Sequence, residues 1–190
     1  MSKNSEGSTK ELIRNTALNL FQEFGFESIT INKICETCNI TKRTFYYHFK
    51  SKNDILSGFI DNLGMKAETL LLSMTADKSN IEVLWDIMNV YSHNGEKYGP
   101  NILKQVYLFS LEDNEHGNFP ENMYLFKIAL NLIEKAKKNN EIKNTASSED
   151  IAFTLYHTFR SISITWAFDG GSYNLTERFE RAFNTILNIN

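Results

Sequence analysis

The sequence predicts an all-α protein: a three-helix helix-turn-helix head at the N-terminus and a helical bundle body behind it, about nine helices in total. Three observations predict it. The 190 residues hold only 2 Pro and 9 Gly, too few for a sheet protein that turns every ~8–12 residues. Apolar residues recur at three- and four-residue spacing along most of the chain. The breaks between those runs are Gly99-Pro100, Glu115 to Pro120, Asn139 to Ser147 and Asp169 to Asn174.

The elements follow in order. Met1 to Gly7 has no periodicity and is expected to be disordered. Ser8-Thr9-Lys10-Glu11 reads as a capping box, and Ile13, Ala17, Leu20, Phe21 and Phe24 continue to Gly25, a helix over about 9–24. Thr30 can cap a short helix with inner positions Ile31, Ile34, Cys35 and Cys38; Asn39, which tolerates positive φ, ends it. Thr41 can cap a third helix, Lys42 to Phe49. Ser51-Lys52-Asn53-Asp54 opens a fourth, carrying Ile55, Phe59, Leu63, Ala67, Leu70 and Met74. Further helices are expected over 79–97, 101–113, 120–139, 148–168 and 175–188, the last two starting at Ser147 and Asn174 with acidic first turns.

Composition narrows the class. Two cysteines exclude a disulfide scaffold. No run reaches the roughly 18 apolar residues of a membrane span, and Met1 to Lys10 lacks the apolar core of a secretory signal. The expectation is a soluble cytoplasmic protein without a membrane partner, metal or cofactor. The net charge of −3 hides an asymmetry. Residues 1–53 hold eight Lys/Arg against five Glu, which is +3, and the remainder holds twelve against eighteen, which is −6. A basic end on an acidic body points the first part at a polyanion.

Residues 31–50 fit a helix-turn-helix. The outer face of its second helix offers Lys42, Arg43, Thr44, Tyr47 and His48 with no acid among them, while Phe45 and Phe49 can anchor the inner face. Such a helix fits the major groove of B-DNA, where its first residues reach base edges. Lys42 and Arg43 suit guanine, and Thr41, Thr44, Tyr46, Tyr47, His48 and Lys52 suit phosphates. The competing reading of these residues is a solvated basic helix beside an aromatic core pair.

The run Thr30-Ile31-Asn32-Lys33-Ile34-Cys35, then Asn39-Ile40-Thr41-Lys42-Arg43-Thr44-Phe45-Tyr46-Tyr47-His48-Phe49-Lys50-Ser51-Lys52-Asn53-Asp54-Ile55-Leu56, closely resembles the DNA-binding domain of TetR-family transcriptional regulators. The resemblance covers about 50 residues at motif level and only the order of helices beyond residue 75. It implies a DNA-binding domain over 8–54 and a ligand-binding and dimerisation domain over 55–190. It places phosphate contacts on Thr30, Thr44, Tyr46 or Tyr47, His48 and Lys52, and base contacts on Lys42, Arg43 and Tyr46, with Asn32 or Lys33 assisting. The family usually has Gly where this chain has Asn39, a departure that Asn tolerates; it often has a small residue where this chain has Arg43, so no operator sequence carries over. The implied protein is not an enzyme. It is a homodimeric regulator, foremost a repressor, that binds a pseudo-palindromic double-stranded operator and answers to an unknown small-molecule effector. An activator, a redox-responsive regulator, or a helical enzyme or interaction bundle without specific DNA binding are the alternatives.

Other residues carry weaker signals. Cys35 and Cys38 form a C-x-x-C with no further zinc ligands at suitable spacing, so core packing is the expectation and a redox sensor the alternative. His93, His116 and His157 share no metal spacing. In the body, Trp85, His93, Tyr107, Tyr124, Tyr156 and Arg160 are candidate linings of an effector pocket. The stripes Ile151, Leu155, Phe159, Ile162, Trp166 and Phe179, Phe183, Ile186 are broad, and the resemblance implies that they pair with their copies in a four-helix dimer interface; ordinary core is the other reading.

Overall fold

The computed structural model describes the backbone of residues 3–73, 77–112 and 124–189, and the side chains of residues 7–56, 64–72, 77–111 and 126–189. The regular structure among the described residues is all helix, without a strand: α1 Lys3–Phe24, α2 Ile31–Cys38, α3 Lys42–His48, α4 Lys52–Ser73, α5 Asn80–Glu112, α6 Tyr124–Lys138, α7 Ser148–Phe168 and α8 Leu175–Leu187. Gly99, at φ 83° and ψ 168°, breaks α5 in two, and Pro100 starts the second half. Counting those halves separately gives nine helices among the described residues, the number expected. None of the described helices is long and apolar enough to cross a membrane.

Most ends follow local chemistry. Thr30, Thr41, Ser147 and Asn174 each accept the backbone N–H three residues on, at α2, α3, α7 and α8. Ser51 and Asp54 open α4 reciprocally: the Ser51 hydroxyl accepts Asp54 N–H at 3.2 Å, and the Asp54 carboxylate accepts Lys50 N–H at 2.8 Å. The start of α1 corrects the expectation. Its helix begins at Lys3, so Ser8 to Glu11 lie inside it rather than at its start, and Lys3 to Gly7 are helical. Physically, nothing in that stretch breaks a helix; Gly7 costs only about 1 kcal/mol relative to Ala. The expected helix start at 120, the break over 115–120, Met74 and His116 lie outside the described residues, as do the side chains of Phe59 and Leu63.

Two main cores form. The head core gathers Ile13, Ala17, Phe21, Ile34, Cys35, Phe45, Phe49, Ile55 and Leu56, together with Ile102 and Val106 from the second half of α5. The body core gathers Leu84, Ile133, Ala136, Ile151, Leu155, Phe183 and Leu187. Tyr91 packs against both. The expected boundary between 54 and 55 therefore cuts through buried side chains of one cluster.

Candidate nucleic-acid interface

The interface is built on α2 and α3, and both are short. A seven-residue helix has no independent stability; here Phe45 is wholly buried, and Phe49, its ring 5.9 Å from that of Phe45, closes the end of α3. The turn between the helices is set by Asn39. It takes the left-handed conformation (φ 52°, ψ 48°), its N–H reaches Glu36 O at 3.1 Å, and Ile40 N–H reaches Cys35 O at 2.9 Å. Asn thus does the work for which Gly is the usual choice.

With α3 pinned on one face, its other face meets solvent. Thr41, Lys42, Arg43, Tyr46 and Tyr47 are exposed, and Thr44 and His48 half-buried. The Thr41 and Thr44 hydroxyls share a hydrogen bond of 2.9 Å, while Thr41 also accepts Thr44 N–H at 3.1 Å. Tyr47 and His48 meet edge to face at 4.9 Å. Asn32 and Lys33 are exposed on α2, next to the exposed cap Thr30, whose hydroxyl accepts Lys33 N–H at 3.2 Å. No Asp or Glu lies on α3.

Lys52 departs from the simple picture of a free phosphate ligand. Its ammonium donates to Phe26 O at 2.8 Å and sits 4.4 Å above the Phe26 ring, clamping the α1–α2 connection. Sequence reasoning missed that use, because the partner is 26 residues upstream. It also missed Lys10, whose ammonium lies 5.6 Å from the Phe49 ring centre. That puts another cation near the end of α3.

Cys35 is buried and Cys38 half-buried, both as free thiols. Burial pushes the Cys35 thiol's pKa up, which makes it a poor nucleophile. Among the described residues no group of His, Cys, Asp and Glu could hold a metal ion.

In the body the structure brings three of the six candidate pocket residues together. Arg160 donates to the Tyr156 hydroxyl at 3.3 Å, and its guanidinium lies 5.9 Å from the Tyr107 ring centre, between α7 and the second half of α5. Burial pushes the Tyr107 hydroxyl's pKa up; Arg160 pulls it the other way. Beside Tyr107, the Ser163 side chain is fully buried, and its hydroxyl also works against the burial-driven rise of the Tyr107 pKa. Trp85 is elsewhere, stacked on Phe179 at 5.8 Å and 5.2 Å from Phe183. His93 is exposed, and the side chain of Tyr124 lies outside the described residues.

The dimer stripe needs correction. Ile151, Leu155, Trp166, Phe179 and Phe183 are at most 4% exposed and fill cores of the single chain, so they leave no surface for a second copy. Phe159, Ile162 and Ile186 are half-buried. The outward face of α7 instead carries Phe153, His157 and Phe168, with Phe153 46% and Phe168 54% exposed.

Residues 13–58 match the family model of bacterial regulatory proteins of the tetR family. Among curated proteins, the chain is 47% identical over 47 residues to YerO, an uncharacterized HTH-type transcriptional regulator of Bacillus subtilis; the match spans 25% of this chain and 16% of YerO. It is 28% identical over 114 residues to IcaR of Staphylococcus aureus, the negative transcriptional regulator of the biofilm operon icaADBC, spanning 51% of this chain and 61% of IcaR. The chain thus covers less than two thirds of either relative. The fold extends further. Over 94% of this chain and 93% of the other, with a TM-score of 0.61 and 19% identity, it is similar to Thermus thermophilus FadR, a TetR-family transcriptional repressor solved with lauroyl-CoA.

Proposed function

We propose that the protein is a cytoplasmic, ligand-responsive homodimeric repressor, a reading supported by the match of residues 13–58 to the tetR family model and by the similarity of the fold to that of a TetR-family repressor. Each subunit lays α3 into a major groove of double-stranded DNA. The observation that carries this reading is α3 itself: acid-free, exposed through Thr41, Lys42, Arg43, Tyr46 and Tyr47, and held rigid by the buried Phe45 and Phe49. Lys42, Arg43 and Tyr46 read bases. Thr30, Thr41, Thr44, Tyr47, His48 and Lys52 take phosphates, with Asn32 and Lys33 assisting from α2. Two-fold symmetry calls for a pseudo-palindromic operator whose half-sites lie about 34–36 Å apart, or slightly more.

The effector reading rests on Tyr107, Tyr156, Arg160 and Ser163. They form a polar cluster on the second half of α5 and on α7, and that half of α5 also supplies Ile102 and Val106 to the head core. A small molecule that binds there better when the heads are misplaced shifts the population off DNA by its differential affinity and no more. A swing from nearly all competent to nearly none takes about 5.5 kcal/mol. For the dimer, α7 and α8 are the elements, with Phe153, His157 and Phe168 on the contact face.

The test is a titration of the chain against DNA upstream of its own reading frame, followed by fluorescence anisotropy at low and moderate salt. A saturable, sequence-selective complex is expected. Its affinity should drop about 10³-fold or more from ~50 to ~200 mM salt if six or more phosphates are contacted. Binding that is indifferent to sequence and salt would reject the reading.

A further inference from the structure

The break at Gly99 is held on both sides, by elements with different jobs. On the head side, the Gln22 amide near the end of α1 donates to Lys97 O at 3.3 Å, and a Cβ on Gly99 would touch Gln22 at 3.6 Å. On the body side, the Glu96 carboxylate caps α8. One oxygen accepts Leu175 N–H at 2.8 Å and Thr176 N–H at 3.2 Å, and the other accepts the Thr176 hydroxyl at 2.8 Å. The α7–α8 turn closes on Pro100, so tightly that a Cβ on Gly171 would stand 3.3 Å from both Pro100 and Trp166. Within five residues, Glu96 to Pro100, the chain is therefore fixed to α8, to the α7–α8 turn and to α1. Gly99 itself sits at φ 83°, ψ 168°, a conformation essentially closed to residues with a side chain.

We propose that this junction sets the separation of the two DNA-binding heads, making Gly99 and Gln22 positioning residues that determine which operator spacing is accepted. The inference rests on the DNA-binding dimer reading above. Its logic is geometric. The first half of α5 is tied through Glu96 to α8, one of the two helices assigned to the dimer. The second half, through Ile102 and Val106, is part of the head core. Tyr91 and Tyr98 of the first half also pack on the head core, and Tyr107 of the second half also faces α7, so the bend at Gly99, braced by the Gln22 amide, is one of the features that fix head and dimer helices relative to each other. Neither residue is on the DNA-facing helices, so the junction selects spacing without reading any base.

The experiment uses the full chain. Selection from random duplex DNA by the wild type yields a half-site and its preferred spacing. Duplexes with the two half-sites moved apart or together one base pair at a time are then titrated with wild type, Gly99→Ala and Gln22→Ala. The wild type should show one sharp optimum. In both variants the optimum should move or spread over neighbouring spacings, with about a ten-fold loss at the wild-type spacing, as expected when a strained conformation relaxes. Affinity for a single half-site should stay unchanged. Spacing profiles identical to wild type in Gln22→Ala would overturn the proposal even if Gly99→Ala does not fold. Failure of the wild type to select any DNA would instead remove the regulator reading on which the proposal stands.

Discussion

Lys52 serves two masters. Its ammonium holds the Phe26 carbonyl and ring, and in the proposed complex the same group faces a phosphate. Lys52→Ala should therefore weaken binding to every DNA sequence alike, flatten the salt dependence by about one unit of slope, and lower stability by about 1–2 kcal/mol, the worth of a charged hydrogen bond in a half-buried setting. Arg43→Ala should separate from it. Arg43 is exposed, so its loss should leave the melting temperature alone and relax discrimination at one base pair by about 1–3 kcal/mol. Anisotropy with single-base-substituted duplexes, beside thermal melts, checks both; equal losses on all duplexes for Arg43→Ala would contradict its assignment to a base edge. The contrast also marks a limit of sequence reading. The residue types and their order single out the exposed, acid-free face of α3. The Phe26 partner of Lys52 exists only once α1 and the start of α4 come together.

At the scale of elements, what was legible was local. The caps Thr30, Thr41, Ser147 and Asn174 act within three residues of themselves, so their pattern in the sequence is already their structure. Two failures have one cause, the lack of a local marker. A capping signature inside a longer helix looks the same as one at its start, hence the early beginning of α1 at Lys3. On α7 both faces carry large apolar residues, Leu155 and Trp166 inside and Phe153 and Phe168 outside, and periodicity cannot say which is which. The second cap on α8 was out of reach, because Glu96 supplies it from 79 residues away. Its removal has a defined consequence. Glu96→Ala leaves the N–H groups of Leu175 and Thr176 and the Thr176 hydroxyl without their acceptor, so about 2 kcal/mol should be lost. For a domain of this size that is about 4–8 °C in melting temperature, and differential scanning calorimetry measures it. A loss within error would mean that water replaces the carboxylate at no cost.

For the whole molecule, two expectations concern assembly and pH. Phe153→Glu puts a charge on the outward face of α7 without touching a core. It should turn a dimer into a monomer by light scattering and abolish cooperative binding to paired half-sites, while leaving helicity intact. Alkaline pH should destabilise the fold. Burial raises the pKa values of the Tyr91 and Tyr107 hydroxyls, as well as that of the Cys35 thiol. Their neutral forms are favoured in the folded chain, so the stability they lend is complete below the unfolded values. Above those values the unfolded chain loses protons first, and stability falls as pH climbs towards the folded ones. Melting temperatures from about pH 8 to 11 should decline, and Tyr91→Phe and Tyr107→Phe should each shallow the decline. A last consequence belongs to the shared core of Ile102 and Val106 with α1. Recombination at residue 55, the seam that the sequence motif recommends, would graft a foreign head onto two aliphatic knobs shaped for this one. Head and body are thus a matched pair in packing, and a chimera that folds should carry the stretch from Gly99 to Val106 along with the head.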